Sequence, residues 1–160
     1  MTKKTKSTEP FLVLAGVLSA IAALLHIGII IGGPAWYRFF GAGEEMATMA
    51  ESGSPVPAIV TFFIALVLSL WALYAFSGAG LMRRLPFLRG GLVIIAAIYL
   101  VRGVGAIPVY FIKPEAVDSF LIWSSGIVML YGLSYAVGTA RRWQELGDRR
   151  GVDDRRDHER

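Results

Sequence analysis

The chain has no cysteine, and its four long apolar stretches contain no aspartate or glutamate. The first absence excludes disulfides, thiol redox relays, thiolate-bound zinc and cysteine-held iron-sulfur clusters. The second argues against transport driven through a membrane carboxylate, a usual proton-relay group inside a bilayer. Histidine is scarce too: His26 and His158 are the only two. The topology derived below puts them on opposite sides of the membrane, so one subunit cannot ligate a haem through both. No glycine-rich phosphate loop and no legible Ser-His-acid or Ser-Lys set is present. No cofactor is expected.

What the chain does have is apolar length. Of its 160 residues 55% are hydrophobic, and charge collects outside four runs, Phe11 to Ile31, Pro55 to Phe76, Leu92 to Ile112 and Ser119 to Val137. Each run is close to the roughly 20 residues that cross about 30 Å of hydrocarbon at about 1.5 Å per residue. No soluble domain fits in the remainder. The expected fold is all-α, a polytopic membrane protein forming an antiparallel four-transmembrane-helix bundle, with a short interfacial helical loop between the first two spans. Residues 1–138 form the transmembrane domain and residues 139–160 a charged cytoplasmic tail. Lys3, Lys4 and Lys6 precede the first run as in a secretory signal. That run exceeds the roughly 7 to 15 apolar residues of a signal core, and Ile30-Ile31-Gly32-Gly33-Pro34 offers no small-residue cleavage site. It reads as a retained span.

Lysine and arginine in the short loops set orientation. One side carries Lys3, Lys4, Lys6, Arg83, Arg84, Arg89 and the arginine-rich tail, and the other only Arg38 and Lys113. Both termini are therefore expected in the cytoplasm, with the protein in the inner (plasma) membrane. The net charge of +4 reflects topology and contact with anionic lipid head groups, and calls for no nucleic-acid partner.

Local signals refine the spans. Ser7 is the candidate N-cap of the first helix, with Pro10 in its first turn. In the loop Gly32 to Ser54, Trp36, Phe39 and Phe40 share one helical stripe suited to the membrane interface. Gly41 and Gly43 break that helix. Glu44 and Glu45 open a second with Met46, Met49 and Ala50 on one face, and Ser54-Pro55 starts the second span. Pro86 interrupts the basic turn, Asp118 or Ser119 caps the fourth span, and Pro108 kinks the third by freeing the Val104 carbonyl. Beyond Gly138 the helix is expected to run a few residues past the membrane before a mixed-charge string from Arg149 to Arg160. Seven arginines and six acids follow residue 138, so that tail is expected to be near neutral and disordered.

Arg102 is the residue most charged with functional meaning, since a guanidinium in mid-bilayer costs at least a few kcal/mol. Helical spacing groups Ala15, Ser19, Ala22 and His26 on one seam, and Tyr99, Arg102, Gly103, Ala106 and Tyr110 on another. Thr61, Ala65, Ser69 and Ala72 follow on the second span, and Ser124, Val128, Tyr131 and Tyr135 on the fourth. By helical rise His26 lies about 7 Å outward of the midplane and Arg102 within about 2 Å of it. The expected site is an outward polar pocket of Arg102, His26, Thr61, Tyr99, Trp123 and Ser124. Alternatives stay open. Arg102 can be a structural anchor, His26 a core imidazole, and Met46 with Met49 a packing face or a soft-metal pair. Glu44, Glu45 and Glu51 can form a solvated face or supply a counter-charge to Arg102.

His26, Gly32-Gly33, Arg102-Gly103-Val104-Gly105 and Asp118-Ser119-Phe120 together resemble a family of small four-helix bacterial membrane proteins catalogued only as a domain of unknown function. In that family a histidine and paired glycines end the first span, an Arg-small-Val-Gly run sits in the third, and an acid precedes the fourth. This chain departs in a longer first outer loop and in Ile29-Ile30-Ile31, where the family tends to be aromatic. The resemblance implies a bacterial inner-membrane protein and supplies no activity.

Three functions remain. The first is binding or permeation of a small amphiphile, whether an anionic amphiphile, a lipid head group or a quinone-like carbonyl compound. The second is a structural or accessory subunit, packed against a second copy or another membrane protein. The third is a membrane enzyme using His26 as acid or base.

Overall fold

A computed structural model describes residues 8–112, 114, 117 and 119–147. Among these the helices are α1 (Pro10–Gly32), α2 (Pro34–Phe39), α3 (Glu44–Glu51), α4 (Val56–Ala79), α5 (Leu88–Val104), α6 (Ala106–Ile112), α7 (Ser119–Arg141) and α8 (Trp143–Gly147). Four stretches are long and apolar enough to cross a membrane: Pro10–Gly32, Val56–Ala79, Leu88–Ile112 and Ser119–Arg141, with mean hydropathies of 2.5, 2.4, 2.2 and 1.6. The chain is thus a helical membrane protein of several spans.

The ends follow local chemistry. Glu9 caps α1, its Oε2 accepting the Leu12 N–H at 2.8 Å, and Pro10 occupies the first turn. Ser7, expected as the cap, lies outside the described residues. Pro55 precedes α4, which begins at Val56 and runs three residues past Phe76 to the left-handed Gly80 (φ 85), a conformation glycine adopts without Cβ strain. Leu88, behind Pro86 and Phe87, begins α5. The third span breaks at Gly105 between α5 and α6, where Pro108 offers the Val104 carbonyl no N–H. Ser119 begins α7, and Asp118 lies outside the described residues.

Small residues let the long helices approach. Along α1 lie α4 and α7, and α5 packs on α7 and more thinly on α4. A Cβ on Gly103 would stand 3.0 Å from Met129 Cα, and one on Gly132 3.0 Å from Leu100 N. Such backbone approach is how membrane helices gain attraction where lipid is as apolar as leucine. Leu12, Ala15, Ser19, Leu92 and Tyr135 are wholly buried, whereas Ile31, Phe63, Val101 and Trp123 stand 67% to 82% exposed. An outer surface this apolar suits lipid contact and not water.

At one end of the helices Arg142 to Gly147 are docked, and the mixed-charge string expected from Arg149 lies outside the described residues. Arg142 is buried and donates to Gly78 O (2.9 Å) while pairing with Glu145 (2.8 Å). Arg84 donates to the carbonyls of Glu145 and Leu146, and Arg89 stacks on Trp143 at 3.3 Å. Glu9 N–H donates to Ala79 O at 3.3 Å. Arg142 and the Glu9 N–H thus satisfy orphan carbonyls at the end of α4, and Arg84 those at the end of α8, which holds α8 in place.

The loop helices form a small body of their own. Tyr37 is the buried face of α2, packed with Ile29 and Ala47, and Met46 and Ala50 close around it. The expected aromatic stripe holds together on the outer face, Phe40 meeting Trp36 at 5.6 Å and Phe39 at 5.0 Å between ring centres, with Phe39 77% exposed. Gly28 and Gly32 seat the Trp36 indole, which a Cβ on either would touch at 3.3 and 2.2 Å. The acids of α3 turn to Arg38. Its Nε and Nη2 grip the Glu44 carboxylate at 2.6 to 3.0 Å, and its Nη1 reaches Glu51 at 2.6 Å.

Hydrogen bonds from Arg38 hold the Glu44 and Glu51 carboxyls below the usual carboxylate range. A folded-state pKa below the unfolded value stabilises fully above the unfolded value and is lost as pH falls through the folded one. The loop body is therefore expected to loosen on acidification below about pH 4, the region of an ordinary glutamate. The difference in tryptophan emission between wild type and Trp36→Phe should move to longer wavelength there, and should already be shifted at neutral pH in Arg38→Gln. A signal flat down to about pH 3 would contradict it. The effect is small, because solvent and salt screen exposed ion pairs.

Candidate functional site

Arg102 lies two residues past the midpoint of the 25-residue stretch Leu88–Ile112, about 3 Å along the axis by helical rise. It borders an apolar groove of ≈ 320 Å³ between α4 and α5, walled by Phe63, Val67 and Trp71 on one side and Ile98 and Tyr99 on the other, with Val128 of α7 behind. Arg102 Nη1 donates to Ser125 Oγ at 3.4 Å, a long bond. Among the described residues no carboxylate stands within ion-pair distance of it. A fixed charge thus sits near mid-span with one weak polar neighbour.

The expected site residues divide. Tyr99 joins Arg102 on the groove wall. Ser125 takes the place foreseen for Ser124, whose hydroxyl donates back to Leu121 O at 3.2 Å. One residue of α-helix turns a side chain by about 100°, enough to exchange two adjacent serines. Thr61 is buried on the stripe of α4 that includes Ala65 and Ala72. His26 is half-buried and bonded to its own helix, with Nδ1 2.7 Å from Ala22 O. A carbonyl only accepts, so Nδ1 carries the proton. Trp123 is 75% exposed and faces outward, away from any pocket between helices. Neither Thr61, His26 nor Trp123 belongs to the groove wall. The shared His26–Arg102 pocket is not what the helices form.

Inside the bundle is a directed chain of hydroxyls. Tyr135 OH donates to Trp71 O at 2.8 Å, which uses its only proton. Ser19 must then donate to Tyr135 (3.0 Å), and Tyr99 to Ser19 (3.3 Å). The rings of Tyr99 and Tyr135 stack at 5.6 Å, with Trp71 and Tyr131 edge-on to Tyr99 at 4.9 and 5.4 Å. This fixes Tyr99, turning its ring to the groove and its hydroxyl inward. The sequence carried the signal in the stripes of Ser19, Tyr99 and Tyr135, although nothing in it says that four helices, with α4 through Trp71, join there.

The chemistry available is recognition. The groove holds no nucleophile or acid-base pair, and among the described residues no three His, Asp or Glu side chains gather to hold a metal ion. A guanidinium beside an apolar cleft offers hydrogen bonds and positive charge to an acceptor whose remainder is apolar. No protein-family model, curated protein or solved structure matches the chain, so the functional reading rests on this geometry.

Proposed function

We propose that the chain is an antiparallel four-helix membrane protein that binds an amphiphile in the groove between α4 and α5, its carboxylate or carbonyl head held by Arg102. The observation that carries this is Arg102 on the rim of an apolar cleft, with Ser125 as its one hydrogen-bond partner among the described residues. End contacts between Glu9 and Ala79 and between Arg142 and Gly78 support the antiparallel arrangement. Charge asymmetry favours cytoplasmic termini, with α2 and α3 on the outer face.

Depth selects the ligand class. Phospholipid phosphates lie beyond the roughly 15 Å half-thickness of the hydrocarbon, and an arginine near mid-span reaches only part of that distance by snorkelling. A fatty acid or a long-tailed quinone can bring its polar head deeper. Native mass spectrometry of the detergent-solubilised protein with palmitate, a long-tailed quinone and phosphatidylglycerol tests this. Wild type should retain palmitate or the quinone, and Arg102→Gln should lose it about tenfold or more, as for a charge-assisted bond of about 1.5 to 3 kcal/mol. Equal retention by both proteins would contradict the proposal.

A further inference from the structure

A second cavity lies at the opposite reach of α5, where the turn after α4 meets α8. It measures ≈ 720 Å³ and is walled by Arg84, Leu85, Phe87, Leu88, Arg89 and Leu146. The charged side chains among its described lining residues are Arg84 and Arg89. The turn itself, residues 77 to 91, contains Arg83, Arg84 and Arg89 and no acid, and Glu145 of α8 pairs with Arg142. Arg84 donates to the Glu145 and Leu146 carbonyls, and Arg89 stacks on the Trp143 ring. Beside them Phe87 is 80% exposed, an apolar side chain at the mouth of a basic cavity.

This is the end of a span, where head groups and acyl chains meet. We propose that the cavity seats the phosphodiester head group of an anionic phospholipid between Arg84 and Arg89, with Phe87 among the first acyl carbons. Charge complementarity selects a net negative lipid over a zwitterionic one, since each basic side chain near the surface is worth about a fivefold preference. The leucines lining the cavity and the exposed phenyl ring select a lipid over free phosphate, which has no apolar part for them to meet. The size suits a glycerophosphate group and its neighbours, as ligand sites run to about 300 to 1,000 Å³. This site is independent of Arg102 and of the ligand proposed there.

The test uses the full chain in detergent doped with equal phosphatidylglycerol and phosphatidylcholine, read by native mass spectrometry. Wild type should retain phosphatidylglycerol preferentially. Arg89→Gln should cut that preference about fivefold, and Arg89→Lys should keep it within twofold. Phe87→Ala, which removes an exposed ring and cannot empty the core, should lower total lipid retention while keeping the preference for the anionic lipid. It stands as the second variant if Arg89→Gln melts early. Equal retention of both lipids by wild type, an unchanged preference in Arg89→Gln, or unchanged retention in Phe87→Ala would overturn the proposal. So would displacement of the lipid by millimolar glycerol phosphate, which would mark a free-phosphate site. Arg102→Gln should retain the preference, and its loss there would move the phospholipid to the groove and sink the assignment.

Discussion

Gly103→Val is expected to lower the stability of the bundle by about 3 kcal/mol, the upper end of the usual overpacking range. The reason lies in what the new Cβ meets. Its nearest neighbours are Met129 Cα at 3.0 Å and Met129 N at 3.1 Å, backbone atoms that cannot rotate aside. Relief therefore requires α5 and α7 to separate, which also loosens Leu100 from Gly132 one helical layer away. Gly126→Ala is the control on the same pair of helices, because a Cβ there meets nothing within 4 Å. It should be neutral or stabilise by up to about 1 kcal/mol through helix propensity. Thermal melting in detergent measures both, and a Gly103→Val protein melting with wild type would show that the helices do not pack this closely.

Truncation after Arg142 should destabilise the bundle by about 2 kcal/mol. It removes Leu146, 6% exposed, and burial of a leucine side chain contributes about 1.5 to 3 kcal/mol. It also takes away the Glu145 carboxylate that pairs with buried Arg142 at 2.8 Å and the Trp143 ring under Arg89. Arg142→Ala attacks the same junction from the other side, leaving Gly78 O without its guanidinium donor. Melting temperatures of the two variants should fall together. An unchanged melting temperature on truncation would restore the free tail that composition alone implies.

The spans were legible because hydropathy adds over about 20 residues and tolerates local error. Their ends were legible in part. Apolarity stops at Val137, and α7 runs on to Arg141 as the expected few residues past Gly138, but hydropathy carries no sign that α8 follows and docks, since helix propensity and membrane preference are different quantities. The seam of α1 was half legible: Ala15 and Ser19 are wholly buried, and the next small residue inward is Ala23 where Ala22 and His26 were expected. The buried line Ala15, Ser19, Ala23 takes successive four-residue steps, so it follows a ridge inclined to the helix axis where the expected stripe ran nearly along it. Gly28 and Gly32 seat Trp36. That contact depends on how α2 folds back at Gly33, which has φ 67, and no spacing rule reports it. The Arg38 clamp depends in the same way on the turn from Phe40 to Gly43.

For the site, Arg102 and Tyr99, placed by depth and spacing, both line the groove. His26, Thr61 and Ser124 were grouped with them by depth and by the stripes of their own helices, and Trp123 by depth, which leaves free the angle each helix turns toward its neighbours. That angle turns Trp123 outward, closes His26 onto Ala22 and puts Ser125 in place of its neighbour. The sole intramembrane charge among the described spans remained the reliable signal, because its cost in lipid demands a partner or a purpose.

The most direct measurement of that purpose is the melting temperature of wild type and Arg102→Leu, each with and without palmitate or the long-tailed quinone. A ligand that binds only the folded protein stabilises it by mass action, about 2.7 kcal/mol at a hundred times its Kd. A charge kept for a ligand is a burden to the empty protein. Arg102→Leu should therefore melt at or above wild type when empty and gain nothing from ligand, while wild type gains several degrees. A variant that melts well below wild type when empty, yet still rises with ligand, would show that Arg102 holds the helices together and that the groove binds without it.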